Sequence, residues 1–568
     1  MSKKKYCFFV FFIISILFLS GSKIYSQVEL VPPSNRIYDF LERMYINKVI
    51  NNYSPSMIPI SRREIAGFLK EIENKRTNIS STDKKLLDDF NIEFEYDINR
   101  TLKKSVSLFS DFKISNIFTN KKQKYLYAMA DSSSAFFWDG IGELRYNGAD
   151  GDSLGKPHVL LGQLGTRLRG TLFNSVGYYF RLSNGVRLGG TDKDALFAAS
   201  FDPQLASTRK FISEGSKTYD NFEGYLRYAT SADWLGLTIG REALNMGPGY
   251  LDNLFLSNKN VAPFDFLKLD LHYKKIRYSF FHSSIVGSDT AGVQLSSKYL
   301  VFHRVEIGPM FSGFMKLGFS EMLLYSNTPI NFAFLNPFAF LTSADLNAEL
   351  PGKDANNALI GIDAQFFPVK KLSLQGSLLI DDLDFETLGK SNAASNTNKF
   401  AFQGGLSWQD AFMLKNLNLI YEFTHIEPFV YTHRLNKNSY THWNLPLGHA
   451  LNPNSDEHAF NLSYNLGSRL NVNLMYQLQR TGLNYFDSTG NFINVGSSIL
   501  RGENDVVVKN EFLRGIRLNR NIITAELTWQ PILQYFLTVR YQNRSYDYTE
   551  QNRTLSDNIF WGIFRIDY

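Results

Sequence analysis

The sequence is almost without cysteine: Cys7 is the only one. It falls within the first 26 residues, so the rest of the chain has neither a disulfide framework nor a thiolate metal site. With no cysteine at the expected cleavage point, an N-terminal lipid anchor is also disfavoured. Nothing after residue 26 is long and apolar enough for a membrane-spanning helix, which takes roughly 20 residues. No basic stripe runs along the chain, which excludes a nucleic-acid partner. The formal charge of +6 falls to +2 once residues 1–26, with four lysines and no acid, are set aside. Prolines number only 17 and glycines 39, whereas 15% of the residues are aromatic. A chain rich in Phe and Tyr without a helical span suits a barrel with aromatic girdles. A soluble all-β protein of this length would split into domains, and no linker separates any here.

What is present begins with a targeting signal. Lys3-Lys4-Lys5 precede an apolar run from Tyr6 to Leu19, and Gly21 to Ser26 are small or polar. This pattern predicts a signal peptide over residues 1–26, cleaved after Ser26, and export from the cytoplasm.

The organising pattern lies between Asn416 and Leu478. Phe460, Leu462, Tyr464 and Leu466 alternate with Asn461, Ser463 and Asn465. After Gly467-Ser468-Arg469, Leu470, Val472, Leu474, Tyr476 and Leu478 resume the alternation against Asn471, Asn473, Gln477 and Gln479. A period of two gives each strand one apolar face and one Asn- and Gln-rich face. From about Val106 the pattern recurs, predicting eighteen to twenty antiparallel strands, the first two at 105–118 and 125–130. The connections alternate in length. Short ones fall at Phe173-Asn174, Thr230–Asp233, Gly308-Pro309-Met310, Gly467-Ser468-Arg469 and Pro531–Gln534. Long ones span 184–221, 242–265, 321–357, 425–458 and 481–521. Short inner turns and long outer loops in strict alternation mark an outer-membrane barrel, whose closure removes exposed edges. The chain ends on Phe560, Phe564, Ile566 and Tyr568 along one face. That resembles the C-terminal strand by which the barrel-assembly machinery recognises outer-membrane proteins.

The expected organisation is a signal peptide (1–26), a small periplasmic helical segment (27–100) and an all-β transmembrane barrel in outer-membrane lipid (101–568). Within the helical segment, Ser34 is positioned to cap a helix bearing Ile37, Phe40, Leu41, Met44 and Tyr45 on one face. Ser61 to Glu64 read as a capping box before Ile65, Phe68, Leu69 and Ile72. Thr82 precedes Leu86, Leu87 and Phe90. The segment 34–95 resembles S-layer-homology modules, which bind the cell wall; a small bundle or plug is the alternative.

Five of the nine histidines fall in one outer loop: His425, His433, His442, His449 and His458. Their spacing matches no metal site, and no nucleophile motif accompanies them. Neither a cofactor nor a metal is expected, and the chain reads as non-enzymatic. Tyr431, Tyr440, Trp443, Arg434, Asn436 and Asp456 around the histidines fit carbohydrate, with aromatic faces for sugar rings and polar groups for hydroxyls or uronates. A wet loop that narrows a pore is the competing reading. Phe334-Leu335-Asn336-Pro337-Phe338 is too apolar for a free loop and is expected to enter the lumen or pack over it.

Gly240-Arg241-Glu242 with Gly247-Pro248-Gly249, the Asn336-Pro337 loop, and Tyr431-Thr432-His433 followed by Tyr440-Thr441-His442 and Leu447-Gly448-His449 resemble the capsule-assembly Wzi family. Met246 stands where that pattern would have Trp. The resemblance implies an outer-membrane barrel of about eighteen strands with a blocked lumen, acting as a lectin for exported capsular polysaccharide at the cell surface. The residue mix of the 425–458 loop and the strand end at 241–242 put forward Arg241, Glu242, Tyr431, His433, Tyr440, His442, Trp443 and His449 as glycan ligands. A porin or substrate-specific channel is the alternative function.

Overall fold

Eighteen antiparallel strands close into a barrel in the computed structural model, which describes residues 27–208, 211–212, 215–288, 295–348, 356–382, 398–502 and 511–568. The expected signal peptide at 1–26 lies outside the described residues. The first six strands are β1 (Ala135–Gly151), β2 (His158–Leu172), β3 (Val176–Gly189), β4 (Thr218–Ala229), β5 (Leu235–Glu242) and β6 (Phe264–Tyr273). Then come β7 (Ile276–Ser288), β8 (Leu295–Met310), β9 (Met315–Ser326), β10 (Asn357–Val369), β11 (Leu372–Asp382) and β12 (Lys399–Gln409). The last six are β13 (Leu417–Ile426), β14 (Ser455–Gly467), β15 (Leu470–Leu483), β16 (Ile516–Trp529), β17 (Tyr535–Tyr548) and β18 (Arg553–Asp567). Each strand pairs with its sequence neighbours, and β18 returns to β1 through Asp557↔Gly151 to Asp567↔Ile141.

Two expected strands are not barrel strands. Residues 105–107 form a short parallel pair with 123–125, 114–117 are helical, and Tyr127–Ala130 is a four-residue addition to the start of β1. Too few residues alternate there to cross a bilayer, where a strand needs about 9–11. The turn expected at Gly308-Pro309-Met310 also moves. β8 runs through a register shift between Ile307 and Met310, and the chain reverses at Phe311–Gly313.

The period-two pattern sorts the two surfaces of the wall. Leu144, Leu164, Leu182, Leu226, Ile239, Leu474 and Phe560 point outward and stay exposed. Their neighbours turn Arg, Glu, Gln and Ser into the lumen, the inverse of a soluble protein and the arrangement a lipid-facing wall requires.

The lumen is not empty. At the short-turn end sit three helices, α1 (Ile37–Ile46), α2 (Arg62–Asn74) and α3 (Ser81–Glu93), whose apolar faces form one core around Leu41, Ile65, Leu69 and Leu87. Ser34 does not cap α1: the capping position is Arg36, without a side-chain bond, and Asn35 Oδ1 just before it accepts from Ile37 N at 2.9 Å. Ser61 caps α2 by accepting from Glu64 N, but the Glu64 carboxylate reaches Arg277 at 2.6 Å instead of closing a capping box. Ser80 caps α3.

This segment bonds at or beside each of the eight short turns. Arg63 donates to Asn174 O and Thr230 O, at 2.9 and 2.7 Å. Arg277 takes Glu64, and Lys316 takes the Tyr53 carbonyl. Lys371 N donates to Ile46 O, and Ser80 to the Asn416 side chain. Arg469 pairs with Asp89 at 2.6 Å, and Arg36 reaches Gln530 at 3.4 Å.

Candidate functional site

At the opposite end two loops, 243–263 and 427–454, fold against each other inside one half of the barrel. Their local geometry explains the glycine motifs. Gly240 has φ +146°, and an added Cβ would sit 2.2 Å from Gly224 O. At Gly249 it would lie 1.8 Å from Asp252 O, so the loop can close only without a side chain. Two carboxylates then knit the loops together. Glu422 on β13 accepts from the backbone N–H groups of Tyr250, Leu251 and Asp252 at 2.7–3.2 Å. Asp252 accepts from Ser257, from Asn260 and from Ala450 N. Burial disfavours its charge, but His449, Ser257 and Lys259 outweigh that and hold the Asp252 carboxyl below its usual range.

Four of the expected ligands are mortar of this lid. Tyr431 and Tyr440 are fully buried and stacked at 5.5 Å. Their hydroxyls donate to Leu254 O and Phe255 O at 2.6 and 2.5 Å, leaving no ring face open. His449 is enclosed, its Nδ1 accepting from Leu451 N. His442 accepts from Val286 N through Nδ1 at 3.0 Å. Burial, assisted by Lys298 and Arg241, pushes its imidazole down to about 3, so it is neutral above that pH. His433 belongs to another turn, where its Nδ1 accepts from Leu435 N. Met246 is likewise buried, in the core of the lid.

Arg241 and Glu242 part company, as neighbours on a strand must. Glu242 turns inward, where it lines a polar luminal cavity of about 250 Å³ with Glu143, Arg145, Arg181, Glu223 and Arg565. Arg241 turns outward at the rim and grips Asp265 with two bonds of 3.0 and 2.6 Å. Beside that pair opens a groove of about 240 Å³ lined by Ser207, Thr208, Asn221, Arg241, Asp265 and Trp443. Trp443 and Asn444 form the turn of a small hairpin, Thr441–His442 with Leu445–Pro446, and both have positive φ, 52° and 64°. That backbone is uncommon for a bulky residue and fixes the indole at the groove, anchored by Trp443 N to Val286 O. Asp265, Asn221 and the two hydroxyls were not singled out as ligands in the sequence. The only signal was a charge on the outward face at a strand end.

The family model described as capsule assembly protein Wzi matches residues 163–550. The chain belongs to this family. Among solved structures, Wzi of Escherichia coli superposes with a TM-score of 0.57 at 15% identity, covering 95% of this chain and 99% of that one. It is described as an outer membrane protein involved in group 1 capsule assembly and a carbohydrate-binding β-barrel. Weaker likenesses include a BenF-like porin of Pseudomonas fluorescens (TM-score 0.46, 9% identity, 76% of this chain and 99% of that one). OprD of Pseudomonas aeruginosa is another, at 0.43 and 9%, covering 76% and 94%. No curated protein matches in sequence. The Wzi-family barrel here, with its lipid-facing wall and closed sheet, is an outer-membrane structure.

Proposed function

We propose that this Wzi-family barrel is a non-enzymatic binder that holds exported surface polysaccharide on the outer face of the cell, through the rim groove between β5, β6 and the 441–446 hairpin. One observation carries the reading: an indole set in a left-handed turn beside a bidentate Arg241–Asp265 pair. An indole face packs against the C–H face of a pyranose, while Arg241, Asp265, Asn221 and the hydroxyls of Ser207 and Thr208 supply directional bonds. Arg241 can also exchange its carboxylate partner for a uronate. The buried tyrosines and histidines hold the hairpin rather than touch sugar. Both the E. coli relative's description and the family agree with a carbohydrate ligand.

The test is binding of the purified, folded barrel to the producing cell's own polysaccharide. Trp443→Ala is expected to weaken saturable binding about tenfold, the effect of one lost stacking contact of ~1.4 kcal/mol. Unchanged binding in both Trp443→Ala and Arg241→Ala would move the site elsewhere.

A further inference from the structure

The apolar stretch Phe334–Phe338 does not enter the lumen. Its loop descends the outside of the wall. On β7, β8 and β9 the residues Phe281, Phe302 and Met322 belong to the luminal core, so the alternating Phe280, Val301, Leu323 and Tyr325 face outward. Phe334 and Leu341 are buried against these outward residues, covering a wall otherwise in contact with lipid. The physical reason is beneath them: a carboxyl group on the outward face, Glu321, whose Oε2 meets His303 Nε2 at 2.5 Å. A charge on the lipid side of a barrel is costly near mid-membrane. Glu321 lies midway along β9, six residues from Met315 and five from Ser326.

The loop insulates that pair. Leu341 N donates to Glu321 at 3.1 Å, as do Thr342 N and Thr342 Oγ1 at 3.5 and 3.2 Å. Tyr278 Oη donates to the Pro337 carbonyl. The loop's own N–H groups close locally. Phe334 N, Asn336 N, Ala339 N and Ala344 N find carbonyls within the loop, and Ala333 N and Phe338 N find the Asn331 and Asn336 side chains. Most of the strap's polar groups are thus bonded, while Asn336 and Ser343 stay exposed. The outward side shows Phe332 at 84%, Phe338 at 75% and Phe340 at 52% exposure.

Irregular backbone at membrane depth is tolerated where its polar groups are satisfied or buried. Most of the strap's amides are satisfied in this way, and its outer side continues the apolar belt of Leu267 and Ile239 on one flank and Leu317 and Ile362 on the other. We propose that residues 331–344 form a strap embedded in the hydrocarbon of the outer membrane, held by Glu321 and contacting lipid acyl chains through Phe332, Phe338 and Phe340.

Because Cys7 is the only cysteine, the chain from residue 27 onward is thiol-free and suits single-site labelling. In this background Phe338→Cys carries an environment-sensitive dye in vesicles of phosphatidylcholine and phosphatidylglycerol. Leu164→Cys on the bare wall and Ser488→Cys in an outer loop serve as lipid and water references. The expected result is quenching at 338 by doxyl-labelled lipid as strong as at 164, with little quenching by iodide. Adding Glu321→Leu, or Phe334→Ser where that variant does not fold, is expected to raise iodide quenching at 338 several-fold and leave 164 unchanged. Iodide access at 338 equal to that at 488 in the parent would overturn the proposal. So would protection from both quenchers, which would mean that a protein covers the strap.

Discussion

Trp443 and Tyr440 are three residues apart and chemically alike, yet they have opposite roles. Tyr440 is sealed in the lid with its hydroxyl spent on Phe255 O, whereas Trp443 borders an open groove. Tyr440→Phe is therefore expected to keep polysaccharide affinity while removing one buried hydrogen bond, about 1 kcal/mol. Thermal unfolding and binding measured on the same sample check both halves. His442 supplies a pH dependence. Its folded-state pKa, about 3, lies below the ordinary histidine value. Between roughly pH 6.5 and 3 an opened loop binds a proton that the closed loop does not. Closure is thus fully favoured above that window and weakens as pH falls through it. The protection factor of the 427–454 loop, exchange measured against the intrinsic rate at each pH, is expected to fall on acidification from pH 7 to 4, and less so in His442→Asn. None of this was legible from residue types alone. The Tyr, His and Trp cluster was visible, but which rings face a groove depends on which β-strand each hairpin crosses, and that is set by contacts such as Val286 N to His442 that are more than 150 residues apart in sequence.

Elements were far more legible, because a period of two with an apolar outer face is a local property repeated strand by strand. Each of the eighteen expected strands after the first two coincides with one barrel strand. The stretches at 105–118 and 125–130 carry a similar mix of apolar and polar residues, but the alternation in the first breaks at Leu108-Phe109 and the second is too short to span. The apolar character of Phe334–Phe338 is legible in the sequence, but its place outside the wall rather than in or over the lumen is not, since sequence does not say that Glu321 and His303 lie outward and need cover. Buried charge also makes a prediction at this scale. Arg304 on β8 holds Asp363 on β10 across β9 with bonds of 2.6 and 2.9 Å, both side chains almost fully enclosed in the lumen. Asp363→Ala strands the guanidinium and is expected to destabilise the barrel by about 3–5 kcal/mol, read as a lower temperature for loss of the compact band on unheated gels. Arg304→Met with Asp363→Leu is expected to recover much of that loss.

At the scale of the whole molecule, a helical plug fills one mouth and a loop lid half of the other, leaving the polar chamber beside Arg145, Arg181 and Arg565 between them. The intact protein is expected to give no steady conductance in planar bilayers, and a chain lacking residues 27–100 is expected to give a stable open pore. A steady pore from the intact chain would favour the porin reading over a surface binder.

The clamps between the helical plug and the turns join distant parts of the chain. Asn174 and Thr230 follow the helices closely in sequence, but Arg469 and Gln530 lie near its end. The plug's anchorage is therefore complete only once β16 and β17 have joined the sheet. Corking the barrel and closing it are thereby coupled, and loss of a contact as remote in sequence as Gln530 is felt at α1.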